Sequence, residues 1–376
     1  MIFLLNLPPP VHGMSFINKQ MLTMADSIIE DLYVINTTPS ETLGSASFIS
    51  KVKKYSTVFF NFWKVLHKTK IDESVYRPIN GGKGQLIDVL FILLMRLYRR
   101  KIYLHHHSYN YINSKKCLFS LLNLLVGTDT THIVLSRHMQ NGLMSMYGIK
   151  EQQFRVLSNC AFIEEQSFEY ESVQDDSLIK IGYLSNVTVT KGIDVFLEIC
   201  ERLINSGLNI QAIIAGPYND KDSEVLVSNF CKKNKKAIYI GPIYGQQKED
   251  FFKEIDVFVF PSKYKNEAEP LVIYEAASFG SYVVGSEVGT MKEAIKKMAG
   301  ISFPLKVDSN GNEINCYIEN VVNHLKEIKK LDYKKISVNV INSFKSERND
   351  NIRVILSLLK EFENVSTGTI QGTKRL

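Results

Sequence analysis

Two carboxylates eight positions apart, Glu267 and Glu275, have the spacing in this 376-residue chain that is best suited to chemistry. Between them lies Pro270, whose fixed φ and missing N–H suit the first turn of a helix. The N–H groups near Leu271 and Val272 then have no acceptor within the helix and are suited to an anion. This arrangement fits a nucleotide sugar, which carries hydroxyls at both ends and a diphosphate between them. Either glutamate taken alone is more typical of a solvated charge.

The elements around these residues are predicted to form a strand–loop–helix–strand unit. Val257 to Phe260 is a short apolar run typical of a buried parallel strand, and a second such run covers 282–285. Gly280 is placed to end the helix between them. In a parallel sheet this unit leaves the loop and the start of the helix at the carboxyl edge, where α/β proteins bind ligands.

The segment from Pro261 to Gly280 reads P-S-x(4)-E-x(2)-P-L-V-x(2)-E-A-x(3)-G. It resembles the E-x7-E signature of the retaining glycosyltransferases of family 4, and the resemblance extends over most of the chain. It implies the GT-B architecture, in which two Rossmann-like parallel-sheet domains face each other across a cleft. It also implies that Glu275 binds the donor ribose and that Glu267 contacts the donor sugar. The backbone amides of Leu271 and Val272 match the position that binds the diphosphate.

A second family pattern, G-R-L-x(3)-K-G, is matched in part. Lys191 matches its lysine, and a lysine at a helix N-terminus adds positive charge to an anion site. The arginine is absent, and Asn186 lies nearest its place. A departing diphosphate normally needs two cations or a metal. The second cation is therefore open, with Arg137, Lys263 and Lys265 as the available substitutes.

Three further positions match the family more loosely. The loop PPPVHGMS holds Gly13, at the place of a glycine that faces the donor diphosphate and the acceptor. His107 matches a strand-end histidine that reaches the reacting sugar, with His105 as the second choice. Ile243 lies where family members hold the nucleobase with backbone groups. Without the resemblance, Gly13 is typical of an ordinary turn and the histidines of surface imidazoles.

No metal or other cofactor is expected, because the donor is itself a substrate. Asp220-Lys221-Asp222 has the D-x-D form that holds a metal in other glycosyltransferases, but it is interpreted here as a solvated loop. Successive residues of a strand point to opposite faces, so three consecutive histidines cannot converge on one ion. Five cysteines without a CxxC pair indicate reduced thiols in a cytoplasmic protein. The glycine-rich stretch 81–84 lacks the order of a P-loop and is interpreted as a flexible loop.

Strands alternating with helices predict two parallel-sheet domains with right-handed crossovers. An acidic stretch without periodicity is interpreted as the linker between them. The predicted boundaries are 1–165 for an N-terminal, acceptor-side Rossmann-like domain, 166–177 for the linker, 178–345 for a C-terminal nucleotide-sugar-binding domain, 346–364 for a helix returning to the first domain, and 365–376 for a disordered tail.

One segment, 51–70, carries six lysines and no acidic residue, with aromatic residues at helical spacing. It is predicted to be an amphipathic helix that lies on an anionic membrane, or one that covers the sheet with its lysines in water. The N-terminus has no basic region ahead of its apolar run and does not resemble a signal peptide, and no apolar run is long enough to span a bilayer.

Together these features predict a retaining, hexosyltransferase-like enzyme that moves a sugar from a nucleotide diphosphate sugar to a glycan or lipid-linked glycan. The bacterial surface-polysaccharide type of resemblance implies O-antigen or capsule synthesis, in the cytoplasm or peripherally at the inner face of the plasma membrane. Two alternatives are a non-catalytic nucleotide-sugar-binding or membrane-docking scaffold and a GT-B epimerase. The net charge of +6 is not concentrated as in a DNA-binding protein, so no nucleic-acid partner is expected.

Overall fold

A computed structural model describes residues 1–38, 48–71, 73–166, 178–306, 311–328 and 330–367. Its described residues form two compact units, one of residues 1–162 with the chain from Asp350 onward, the other of Ile163–Asn349. Each unit is built on a six-stranded parallel sheet. The two Rossmann-like parallel-sheet units predicted from the sequence are thereby confirmed.

The sheet of the first unit has the strand order β2-β1-β3-β4-β5-β6. The chain leaves β1 toward one edge and returns to the other side of it, so the switch in direction falls between β1 and β3. The strands are β1 (Ile2–Leu5), β2 (Tyr33–Asn36), β3 (Val75–Ile79), β4 (Ile102–His106), β5 (Thr131–Val134) and β6 (Phe154–Val156). The helices are α1 (Gly13–Asp26), α2 (Phe48–Lys68), α3 (Gln85–Leu97), α4 (Asn110–Asn113), α5 (Cys117–Val126) and α6 (Arg137–Tyr147).

The sheet of the second unit has the strand order β12-β11-β10-β7-β8-β9. Here the switch in direction falls between β7 and β10. The strands are β7 (Ile179–Leu184), β8 (Ile210–Ala215), β9 (Ala237–Tyr239), β10 (Val257–Phe260), β11 (Tyr282–Ser286) and β12 (Ile301–Phe303). The helices are α7 (Ile193–Asn205), α8 (Lys221–Lys233), α9 (Gln246–Glu254), α10 (Leu271–Ser278), α11 (Met291–Lys297) and α12 (Asn312–Glu327). Helix α13 (Lys330–Thr367) begins in this unit, and its residues from Asp350 onward belong to the first unit.

The central strands of both sheets are almost entirely buried, as the apolar runs predicted, and Lys180 of β7 and Gln211 of β8 are half-buried. In β10 and β11 every residue is buried, because helices cover both faces of a parallel sheet. The edge strand β12 was not predicted. Its three residues are only half-buried and its sequence, Ile-Ser-Phe, is too short to carry a periodic signal.

Several predicted boundaries differ from the structure. The stretch predicted as a flexible loop, 81–84, includes a turn of 3₁₀ helix over Gly82–Gly84. Helix α13 is longer than the helix predicted for 346–364 and continues three residues into the predicted tail. Residues 167–177 of the predicted linker and 368–376 of the tail lie outside the described residues.

The segment predicted as a basic helix, 51–70, corresponds largely to α2, a helix of 21 residues. Phe62 and Leu66 are buried against the unit, whereas Phe60 and Trp63 face solvent. Across the part of the chain that the structure describes, no helix is both long and apolar enough to cross a membrane.

Candidate donor-binding site

The switch point of the second sheet brings together two loops from distant parts of the chain. Strand β7 pairs with β10, so the loops that follow them emerge side by side at the carboxyl edge of the sheet. In open parallel sheets this is where ligands bind. The loop after β7 carries Lys191, and the loop after β10 carries Glu267.

Lys191 and Glu267 are in direct contact. Their Nζ and Oε2 atoms are 2.5 Å apart, and both side chains are largely buried. Ser262 donates a second hydrogen bond to the same carboxylate oxygen at 3.1 Å. The lysine also lies 4.9 Å from the ring centre of Tyr264, a cation–π distance. Two residues 76 positions apart in sequence therefore form one charged pair.

Backbone contacts hold the two loops together. The N–H of Lys263 donates to the carbonyl of Thr190 at 2.9 Å, which joins the two loops. The buried Tyr183 hydroxyl of β7 donates to the carbonyl of Lys191 at 3.3 Å and anchors the first loop to its strand. Gly192 has a φ of +83°, and a Cβ there would collide with the carbonyl of Pro261. Only glycine therefore allows this close approach without strain.

A third loop, between β11 and α11, supports Glu267 from the other side. Thr290 donates from both its N–H and its hydroxyl to the carbonyl of Ala268, at 3.1 and 2.6 Å. Gly289 has a φ of +57°, and a Cβ there would collide with the carbonyl of Glu267. The position of Glu267 is thus fixed by backbone contacts as well as by its own side chain.

The helix that begins after this loop has an open N-terminus. Helix α10 starts at Leu271, and Pro270 at its N-cap makes no side-chain cap among the described residues. Since the first N–H groups of a helix have no acceptor within it, those of Leu271 and Val272 are available to an anion. Both residues are half-buried, so the position predicted for a diphosphate has the expected backbone.

Glu275, one turn further along α10, is paired with a lysine that sequence reasoning missed. Lys248 on α9 places its Nζ 2.6 Å from Oε1 of Glu275. The other oxygen, Oε2, is buried and has no hydrogen-bond partner among the described residues. A buried carboxylate oxygen without a donor is costly, so this atom is suited to accept a hydrogen bond from a ligand hydroxyl.

Asn186 and Ile243 are the other two residues of the second unit that the sequence predicted for donor binding. Asn186 is exposed in the loop after β7. Ile243 lies in the loop after β9 with its side chain buried, which leaves only its backbone for a nucleobase. Of the candidate second cations, Lys263 forms an ion pair with both oxygens of Asp194, at 2.7 and 2.8 Å, and Arg137 belongs to the first unit.

The D-x-D segment is a helix start, not the solvated loop predicted. Asp220 is the N-cap of α8, and its Oδ1 accepts from the N–H of Ser223 at 2.7 Å. Asp222 lies in the first turn, where a negative charge interacts favourably with the helix dipole. No cluster of three or more metal-ligating side chains occurs within the described ranges.

The remaining predicted residues, Gly13 and His107, belong to the first unit. Gly13 is the first residue of α1, and a Cβ there would meet open space. His12 and Ser15 form a capping box at this helix start, with the His12 Nδ1 accepting from the Ser15 N–H at 3.3 Å. Their side chains therefore have a structural role.

His107 follows β4 beside three other histidines. Its ring lies 4.0 Å from that of His105, and its Nε2 is buried without a partner among the described residues. Burial lowers the pKa of His107 to about 3, so the imidazole is neutral near pH 7. It can act there as a hydrogen-bonding group and not as a cation.

Known structures with a similar fold include a sucrose-phosphate synthase and a protein crystallised with UDP. The chain aligns with sucrose-phosphate synthase from Thermosynechococcus elongatus with a TM-score of 0.69 and 14% identity, over 98% of this chain and 99% of that one. It aligns with Anabaena HepE in complex with UDP with a TM-score of 0.64 and 14% identity, over 96% and 99%. These likenesses show the GT-B architecture.

The sequence defines the family. The model of the family described as glycosyl transferases group 1 matches residues 163–352, half of the chain. A relative described as an uncharacterized glycosyltransferase, from Methanocaldococcus jannaschii, is 24% identical over 259 residues, which are 62% of this chain and 65% of that protein. The chain thus spans slightly less than two thirds of this relative. The protein belongs to the group 1 glycosyltransferases.

Proposed function

We propose that this protein is a retaining glycosyltransferase that moves a hexose-type sugar from a nucleoside diphosphate sugar to a glycan or lipid-linked glycan. The reaction would be a step in cell-surface polysaccharide synthesis, such as that of O-antigen or capsule. The enzyme would act in the cytoplasm, at the inner face of the plasma membrane.

One observation carries the proposal. Two carboxylates, Glu267 and Glu275, lie on either side of an open helix N-terminus at the switch point of the second sheet, and each is paired with a lysine. Carboxylates suit hydroxyl groups, and lysines and free N–H groups suit a diphosphate. A nucleoside diphosphate sugar presents these groups in the matching order.

Each predicted site residue of the second unit then has a role in binding the donor or in the reaction. Glu275 accepts hydrogen bonds from both hydroxyls of the ribose diol, one at its unpartnered Oε2 and the other at Oε1 in place of Lys248. The N–H groups of Leu271 and Val272 bind the diphosphate. Glu267 binds the donor sugar, and Lys191, released from Glu267, stabilises the departing phosphate. Asn186 and the backbone of Ile243 complete the donor contacts. His107 and Gly13 enter the proposal on the family resemblance alone.

In the proposed reaction the bond between C1 of the sugar and the phosphate oxygen breaks. An acceptor hydroxyl attacks C1 from the same face, and its proton passes to the leaving phosphate. The nucleoside diphosphate leaves with that proton, so charge and atoms balance without a side-chain base. The proposal assigns no metal or other cofactor.

Lys248 is proposed as the second cation of the donor site, in place of the arginine absent near Asn186. Its Nζ is held by Glu275, so a ribose that takes over this carboxylate releases the lysine beside the diphosphate. Lys263 is a weaker candidate because both oxygens of Asp194 already hold it.

Calorimetry with UDP and UDP-glucose tests the proposal, since HepE has been crystallised with both. We expect both to bind, and we expect Glu275→Gln to weaken UDP binding by about 1.5–3 kcal/mol, roughly tenfold to a hundredfold. Incubation with an acceptor should release UDP and give a product whose anomeric configuration, read by NMR, matches the donor.

Glu347→Gln is the matched control. Glu347 pairs with Lys297 at 2.9 Å and is buried to the same degree as Glu275, with 16% against 18% of the side chain exposed. It should leave UDP affinity unchanged. An unaltered affinity in Glu275→Gln would remove the donor site, UDP binding without turnover across a range of acceptors would favour the scaffold, and an inverted product would refute retention.

A further inference from the structure

An apolar surface lies on the outer side of two adjacent helices of the first unit. We call it the leucine face. On α3 the exposed leucines recur at spacings of four, three and four residues, so they form one stripe along the helix. On α5 two more leucines continue it, and α3 packs directly against α5. The leucine face consists of Leu86, Leu90, Leu93, Leu97, Leu121 and Leu124, which are 45–78% exposed.

This arrangement is unusual for a helix that covers a sheet. The inner side of α3 is already buried through Phe91, Ile92 and Met95, so the helix is apolar on both sides. A surface helix normally presents polar residues to water, and single exposed leucines are common whereas contiguous patches mark interaction sites.

Helix α2 extends the surface with aromatic side chains. Phe91 of α3 lies 6.0 Å from Phe59 and 5.6 Å from Phe62, measured between ring centres, so α2 packs beside α3. Next to this contact Phe60 and Trp63 stack at 5.6 Å and remain substantially exposed. Tryptophan and phenylalanine beside lysine are typical of helices at a membrane–water interface.

The charge around the leucine face is almost entirely positive. Residues 48–128 contain fourteen lysines and arginines and three acidic residues, within a chain whose net charge is only +6. Of the acidic residues that the structure describes here, Asp88 is buried against Arg77 at 2.7 Å, and Glu73 is buried against the N-terminal amine. Just beyond this segment, Asp129 is 60% exposed and pairs with Arg96 of α3 at 2.8 Å. The described part of the segment therefore presents little negative charge that would oppose an anionic surface.

The exposed apolar side chains and the positive charge of this segment favour a lipid bilayer as the partner over a protein or a nucleic acid. Lysine is depleted in protein–protein interfaces, and a stripe of leucines offers no group for a phosphate backbone or a base edge. A surface that carries leucine and tryptophan in a segment rich in lysine and arginine matches a peripheral membrane contact.

We propose that the leucine face, together with Phe60 and Trp63 of α2, docks the protein on an anionic phospholipid bilayer. The leucines enter the boundary between head groups and acyl chains, and the surrounding lysines meet lipid phosphates. This surface extends the membrane contact predicted for 51–70 to α3 and α5. It belongs to the first unit and the candidate donor site to the second, so either proposal can fail without the other.

Flotation of the full-length protein with phosphatidylcholine vesicles, with and without about one third phosphatidylglycerol, tests the proposal. We expect the protein to float with the anionic vesicles only, and less at about 1 M salt, where charges are screened beyond about 3 Å. Leu90→Glu with Leu93→Glu should lower the partition coefficient at least tenfold. Leu124→Glu, at the most exposed position, is a second variant less prone to disturb folding.

The matched control is Val225→Glu with Leu226→Glu on α8 of the second unit. These residues are 49% and 40% exposed, so the control makes a similar apolar-to-acidic change in the other unit. The control should float as the wild type does. UDP affinity and the thermal midpoint, measured for every variant, separate loss of docking from loss of the donor site or of folding.

Three results would overturn the docking proposal. One is a wild-type protein that does not float with anionic vesicles, and another is a leucine variant that floats as well as the control. The third is a dimer, detected by light scattering, that dissociates in the leucine variants, because it would identify a second copy as the occupant.

Discussion

At the scale of single residues, Lys248 adds a positive charge to the candidate donor site. It supplies a cation next to Glu275, although it lies 27 positions earlier in the chain and on another helix. No spacing rule connects residues so far apart, so only the packing of α9 beside α10 shows the pair. Glu267, Glu275 and the start of α10 were predicted because a proline between two glutamates eight positions apart forms a local pattern.

We expect Lys248→Met to weaken UDP binding by about tenfold and to leave uridine binding unchanged, because uridine lacks the diphosphate. Calorimetry with both ligands measures this difference. Lys297→Met is the control, since Lys297 is similarly exposed and pairs with Glu347 outside the site. If UDP and uridine both bind more tightly to Lys248→Met, the lysine only occupies Glu275 and is not the second cation.

At the scale of elements, the loop after β10 is held between two neighbouring loops, and glycine at position 289 sets one of these contacts. A Cβ at this position would collide with the carbonyl of Glu267, and its φ of +57° adds backbone strain in any other residue. The loop is therefore shaped by a residue 22 positions after Glu267.

We expect Gly289→Ala to lower the free energy of unfolding by about 1–3 kcal/mol and to weaken donor binding, because the Glu267 loop must move. Urea unfolding and calorimetry measure the two effects. Gly207→Ala provides the comparison. Gly207 also has a positive φ, +85°, but has open space at Cβ, so it should cost only about 1 kcal/mol and preserve donor affinity. Equal donor affinity in both variants would refute the role of Gly289.

The elements also show where sequence patterns stop being informative. Central strands such as β10 were predicted within one or two residues, because an apolar run bounded by loop residues has few other interpretations. The aspartates at 220 and 222 carried no sign of whether they cap a helix or lie in a loop. A helix as apolar as α3 is expected to be buried all round, so its sequence could not show which side faces solvent.

At the scale of the whole molecule, three buried histidines and the half-buried His107 connect the stability of the first unit to pH. His106 bonds His132 at 3.0 Å and Tyr111 at 3.0 Å, and His105 bonds the Tyr76 hydroxyl at 2.6 Å. Burial lowers the pKa of His105 and His106 well below 6.5 and that of His107 and His132 to about 3. All four are neutral in the folded protein near pH 7.

Because the folded pKa values lie below the unfolded value of about 6.5, the unfolded chain binds more protons as the pH falls. The stabilisation is complete above about pH 6.5 and is lost progressively below it, by up to about 1.4 kcal/mol per pH unit for each histidine. We expect urea unfolding between about pH 7 and 5.5, where carboxylates stay ionised, to show this slope. Trp63, the single tryptophan, lies in the first unit and reports on it.

His132→Gln should reduce the slope by one histidine's share. His138→Gln should not, since His138 is exposed. A stability of the first unit that is independent of pH in this range would contradict the assignment of neutral, buried histidines.

The ion pairs of the candidate donor site have a consequence for turnover in the proposed reaction. Lys191 with Glu267 and Lys248 with Glu275 neutralise each other before the donor arrives, so donor binding must break both pairs. When the sugar has been transferred, both pairs can form again as the nucleoside diphosphate departs. The spent nucleotide thus competes with the enzyme's own side chains for its place, which favours rapid release and weak product inhibition.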